Sequence, residues 1–261
     1  MNRRQFIKRG ALFVTGAVAF PNIVRANSLP ATRLQPFFRK KRKKAGGGGG
    51  SFTYSLISHT IATVDGTATG DSSSIDTTGA NLFIYSLAWF SGTPTITDSK
   101  GNSAPTGLTQ RACSTDGVRF TRLYYETSPS VGSGHVFHIA CSNAGYCVLC
   151  VAAFQKSSGT PTFDVQNGFD QTGGSSSTAQ PGSVTPAGDN ELIVTGICTN
   201  GNRPFTIDSG FSISDQGETP TATLAAGGLA YLIQTTGGAV NPTWQAAGTF
   251  GVYPCTIAAF K

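Results

Sequence analysis

Two carboxylates facing one cleft are enough to cleave a glycosidic bond. Asp164 and Asp170 in FDVQNGFDQ, with Glu126 behind them, are the candidates this chain offers. Thirteen acidic residues in a β-rich chain supply such pairs by composition alone, so glycan cleavage is the lesser reading and no catalytic residue is assigned. The three histidines are His59, His135 and His138. In HVFH two of them stand three apart, and an extended chain sends such positions to opposite faces. No metal site and no cofactor are therefore expected. The chain contains no G-x-S-x-G, H-E-x-x-H, phosphate-binding loop or dinucleotide fingerprint. A non-enzymatic protein is the expectation.

Six cysteines in a chain with export features invite disulfides. Cys147 and Cys150 have CxxC spacing, but on a strand they lie ~10 Å apart on opposite faces, too far for a bond. Cys141 and Cys147 flank SNAGY at the end of an expected hairpin and form the better pair. Cys198 and Cys255 are the second pair to consider, if their strands are neighbours. The alternative is buried thiols acting as small hydrophobes. Trp89 at a strand end and Trp244 in NPTWQ would stack on sugar rings if exposed, whereas burial in the core is the competing reading.

The elements that would position these residues are strands. FTYSLISHTIATV, NLFIYSLAWF, VRFTRLYYET, HVFHIAC and YCVLCVAAF are β-branched and aromatic runs separated by Gly, Ser, Pro, Asp and Asn clusters. DSKGN from Asp98 reads as a turn. No window carries a capped helical stripe. The pattern also occurs twice. NLFIYSLAWFSGTPTITDSKGN, TRLYYETSPSVGSG and GYCVLCVAAFQ are echoed by NELIVTGICTNGNRPFTIDSG, GLAYLIQTTGGAV and GVYPCTIAAFK. Asn81 pairs with Asn190, Tyr124 with Tyr231, Phe154 with Phe260 and Trp89 with Cys198. The fold class expected is all-β, with two tandem sandwiches, Ig-like or jelly-roll, over 52–157 and 158–261. In the closing strands, Leu149, Val151 and Ala153 and their counterparts Cys255, Ile257 and Ala259 are expected to face a core, with the opposite faces largely buried as well.

Charge divides the chain. Residues 1–26 hold five basic residues and 27–51 hold seven, with no acid in either. The remaining seven basic residues face all 13 acidic ones in 52–261, a net charge of −6. A basic footprint on the domain itself is missing, so specific nucleic-acid binding is not expected. NRRQFIKRG followed by GALFVTGAVAF resembles a twin-arginine export signal over 1–26, too short in its apolar run to span a membrane. Residues 27–51 form an expected flexible tether ending in GGGGGS. Its run Arg39, Lys40, Lys41, Arg42, Lys43 and Lys44 would hold the domains to an anionic surface or to other copies of the chain.

LYYETSPSVGSGHVF, FDVQNG, QPGSVTPAGDNELIV and AYLIQTTGGAVNPTW resemble repeated Gly/Thr-rich β proteins of bacterial surfaces and phage structural or tail-associated proteins. The resemblance implies a structural or adhesive role and carries no active-site residues. The leader favours the cell envelope or the exterior over a virion. The expected function is thus an exported structural or adhesive subunit, able to self-assemble. A carbohydrate-binding module is the alternative.

Overall fold

Strands form wherever the β-branched and aromatic runs lie. The structure is a computed structural model that describes residues 51–113, 118–170, 175–201, 204–221, 224–251 and 254–261. Fifteen strands are assigned over them: β1 Tyr54–Asp71, β2 Leu82–Phe90, β3 Pro94–Asp98, β4 Thr106–Gly107, β5 Arg111–Ala112, β6 Arg119–Thr127, β7 Phe137–Lys156, β8 Phe163–Phe169, β9 Ser175–Ala179, β10 Glu191–Thr199, β11 Phe205–Ile207, β12 Ser212–Glu218, β13 Ala226–Gln234, β14 Trp244–Gly251 and β15 Cys255–Phe260. The chain is all-β, with every strand pair antiparallel.

The first half builds one sheet in the order β1-β7-β2-β6-β4, with β5 also on β6 and β3 on the start of β7. The second half builds a sheet in the order β8-β15-β10-β13-β12 and a separate one in the order β9-β14-β11. The two large sheets thus follow the same strand sequence. Their central strands LFIYSLAWF and ELIVTGICT are buried almost throughout because both faces are covered.

Three cores result. Between the two large sheets lie Leu82, Ile84, Ala88, Cys150, Ala152 and Phe154 from one half and Leu192, Val194, Cys198, Ala258 and Phe260 from the other. Behind the first sheet lie Phe83, Tyr85, Leu87, Trp89, Phe137, Leu149, Val151 and Ala153. Behind the second lie Ile193, Ile197, Phe205, Trp244, Cys255, Ile257 and Ala259. Both faces of the two closing strands are therefore buried. Segments 52–157 and 158–261 share the first of these cores, and Gly48–Lys261 gathers into one compact unit.

Close approach of the sheets requires residues without side chains. A Cβ on Gly227 would lie 2.7 Å from the Ala88 Cβ, and one on Gly196 would strike the Ser86 hydroxyl. Ser86 instead donates to the Gly228 carbonyl at 3.0 Å, tying the sheets at their centre. The turn expected from Asp98 is present: its Oδ1 accepts the Lys100 N–H at 2.7 Å, and Gly101 takes a φ of 72°.

Pairing positions shift the internal alignment by one residue. Leu82 lies opposite Phe154 as Leu192 lies opposite Phe260, which matches Trp89 to Thr199 and Ala88 to Cys198. Tyr231 lies opposite Val194 as Tyr125 lies opposite Ile84, so Tyr125, and not Tyr124, holds its place. A one-residue slip exchanges the two faces of a strand, and only this register puts Ala88 and Cys198 together in the shared core.

A candidate ligand groove at the edge of the second half

A groove of about 680 Å³ opens between β8, the edge strand of the second large sheet, and β9, the edge strand of the small one. Val165, Asn167 and Phe169 alternate onto one face of β8. Val165 packs into the core behind that sheet, while Asn167 and Phe169 continue the face past its rim. Phe169 is 41% exposed, one of two large apolar side chains so placed among the described residues.

The polar groups of the groove are held in place. Asn167 accepts the Gly168 N–H through Oδ1 at 2.8 Å and donates Nδ2 to the Ser183 carbonyl at 2.9 Å. Opposite it, Gly182 has a φ of 88°, and a Cβ there would lie 2.7 Å from the Asn167 Nδ2, so glycine is required twice over. Gln180 donates Nε2 to the Thr243 hydroxyl at 3.0 Å, and Ser176 donates to the Thr178 carbonyl at 2.9 Å. Asn241 completes the rim. No lining residue among those described is ionisable. Amides and hydroxyls both donate and accept, and the exposed ring offers an apolar face, a combination that suits a neutral polyhydroxylated ligand.

No protein family, curated relative or solved structure matches this chain.

The structure separates the carboxylates that could have made a cleaving pair. Asp164 stands six residues from Asp170, at opposite ends of β8. The Asp164 Oδ1 accepts from the Lys261 Nζ at 2.6 Å and its Oδ2 from the Ala187 N–H at 2.8 Å. Burial raises its pKa, but these donors outweigh burial and hold the carboxyl below its usual value. Asp170 accepts from the Ala112 N–H at 2.7 Å and pairs with Arg111 at 3.3 Å. Glu126 accepts the Tyr85 hydroxyl at 3.2 Å, and burial pushes its carboxyl up. Each is engaged in its own part of the fold.

The histidines are equally dispersed. His59 pairs with Asp215 at 3.0 Å and His138 with Asp71 at 2.7 Å, while buried His135 bonds the Thr77 hydroxyl at 2.9 Å. No cluster of three metal-ligating side chains occurs among the described residues.

Cys141 and Cys147 are joined by a disulfide, but no hairpin separates them. Both lie on β7, whose register against β1 shifts around Gly145, where a Cβ would lie 2.7 Å from the Cys141 Cβ. The Cys198–Cys255 pair does not form. Cys198 belongs to the shared core and Cys255 to the core on the opposite face of the same sheet, where it is a thiol whose pKa burial raises. Of the two readings of the tryptophans, the structure has burial in the core. Trp244 is fully buried and donates Nε1 to the Thr195 hydroxyl at 3.0 Å, and Trp89, 4% exposed, stacks on Phe120 at 5.2 Å. Phe169 is the aromatic that sequence reading missed. The signal was the entry of Asn167 between Val165 and Phe169 on one face, where the strand leaves the core.

The run Arg39–Lys44 and the leader lie outside the described residues. Among those described, no helix is long and apolar enough to cross a membrane.

Proposed function

We propose that this chain is an exported, non-catalytic β-sandwich protein that adheres to a neutral polysaccharide through the groove between β8 and β9. The observation that carries the reading is the groove's lining: amides, hydroxyls and the exposed Phe169 ring, with no ionisable side chain among the described residues. Neutral sugars present hydroxyls on their edges and C–H groups on their faces, and both find complements here. The recurring strand order of the two large sheets supports descent by internal duplication, with the second copy carrying the groove. The twin-arginine-like start supports export, and the basic tether supports retention at an anionic surface or assembly with other copies.

Isothermal titration of the full chain with a panel of neutral polysaccharides tests the reading. One or more members bind, and Phe169→Ala weakens that binding roughly tenfold, the equivalent of ~1.4 kcal/mol. Phe169 is exposed, so its loss leaves folding intact. Absence of binding across the panel, or binding that Phe169→Ala does not alter, overturns it.

A further inference from the structure

A second cleft, of about 350 Å³, lies on the other half of the molecule, between β6 and the segment Thr93–Pro94 that leads into β3. Phe120, Arg122 and Tyr124 alternate along one face of β6 and line it, with Trp89 beside Phe120 on the neighbouring strand. Arg122 is fixed twice. Its Nε donates to the Leu108 carbonyl at 2.6 Å, and its guanidinium lies 5.0 Å from the centre of the Tyr124 ring. Among the described residues it has no carboxylate partner, whereas Arg111 is paired with Asp170. The amide of Gln110 and the hydroxyl of Thr93, both in the lining, make no hydrogen bond within the described protein.

Packing does not demand this row. At the same pairing positions in the second half stand Ala226, Gly228 and Ala230, opposite Thr199, Ile197 and Thr195. There the Trp244 ring fills the space, 3.3 Å from where a Gly228 Cβ would stand. The first half has large side chains on the sheet and an open cleft before them, with a cation set over the Tyr124 ring.

We propose that this cleft binds a carboxylate-bearing sugar, the uronic acid of an acidic polysaccharide. With Nε held by the Leu108 carbonyl, the Nη edge of the guanidinium presents the planar fork that matches a carboxylate in bidentate fashion. Aromatic rings on either side take the C–H face of a pyranose, and Gln110 and Thr93 reach its hydroxyls. This site is independent of the neutral groove, which lies at an edge of the other half.

The test follows the Trp89 indole N–H and the backbone amides of the full chain by NMR during titration with trigalacturonate, neutral galactotriose and acetate. Trigalacturonate shifts Trp89, Gly92 and Gln110 and saturates, while galactotriose and acetate bind at least tenfold more weakly. Arg122→Met lowers the trigalacturonate affinity at least tenfold, and Phe169→Ala leaves it unchanged. Equal response to all three ligands, shifts confined to other residues, or full affinity in Arg122→Met overturns the proposal. Circular dichroism checks that Arg122→Met is folded. If it is not, Gln110→Ala, exposed and expected to weaken binding several-fold, serves in its place, and unchanged affinity there counts against the site.

Discussion

Glu191 illustrates at the scale of one residue how a side chain that reads as surface charge becomes a stability determinant. It begins β10, is fully buried, and accepts the Gly188 N–H at 2.7 Å. Burial pushes its carboxyl up, the Gly188 bond opposes that shift, and the charge of Asp164 adds to it. A carboxyl with a raised folded pKa contributes stability that is fully present below the unfolded pKa and is lost as pH rises through the folded value. Glu191→Gln removes the ionisation and keeps an acceptor for Gly188. Its melting temperature should therefore exceed that of the parent at pH 7, with the difference shrinking toward pH 4; each kcal/mol corresponds to roughly 2–4 °C in a chain of this size. Thermal melts across pH measure this, and a difference that grows on acidification contradicts it. Phe169 makes the opposite case. Its exposure has no packing reason, so Phe169→Ala should change glycan affinity without changing the melt.

Among the elements, the two large sheets lie close because small residues face each other where they meet. Gly227 on β13 lies across from Ala88 on β2, and Gly217 on β12 leaves room for the Ile61 side chain of β1. Gly227→Ala would force the sheets apart or the strands sideways, a destabilisation of about 1–3 kcal/mol by overpacking. In denaturant titration, Ala88→Gly introduced with it should recover part of that loss, since the two changes act at one contact. Additive effects would show that the faces do not meet there. Behind the sheets the fit is reversed between halves: Trp89, Tyr85 and Phe120 stand on the first sheet, whereas in the second Gly228 and Ala230 leave space for Trp244 from the opposing strand.

For the molecule as a whole, the shared core makes the halves interdependent. Leu82, Ile84 and Phe154 of one half are covered by Leu192, Val194 and Phe260 of the other, so either half alone would expose a wide apolar face. Residues 51–157 and 158–261 produced separately should be insoluble or associated, and produced together should form a 1:1 complex. Two soluble, monomeric halves would contradict the common core. The arm bears on a different property. The body carries a net charge of −6 and the segment 27–51 carries seven basic residues without an acid. Pairing of arm and body between copies is screened by salt. Light scattering on residues 27–261 should show salt-sensitive assembly that a chain starting at Ser51 lacks. Equal masses for both at low salt would point the arm toward another anionic partner.

Strand content, the turn at Asp98 and the two-faced burial of Leu149–Phe154 and Cys255–Phe260 were legible in the sequence. Each is local: alternation, turn chemistry and unbroken apolar runs record how a segment is solvated, whatever lies across from it. Register was not legible. Aligning Asn81 with Asn190 is the better match of letters, yet hydrogen bonding places Leu82 with Leu192, and one residue exchanges every face. The same limit explains the separation of Cys198 from Cys255 and the dispersal of Asp164, Asp170 and Glu126. Which side of a strand meets a core depends on the sheet that covers it. The groove beside Phe169 and the cleft beside Arg122 come from edges and gaps between sheets, set by residues far apart in the chain. Tertiary structure alone could place them, because a cleft is defined by what does not pack there.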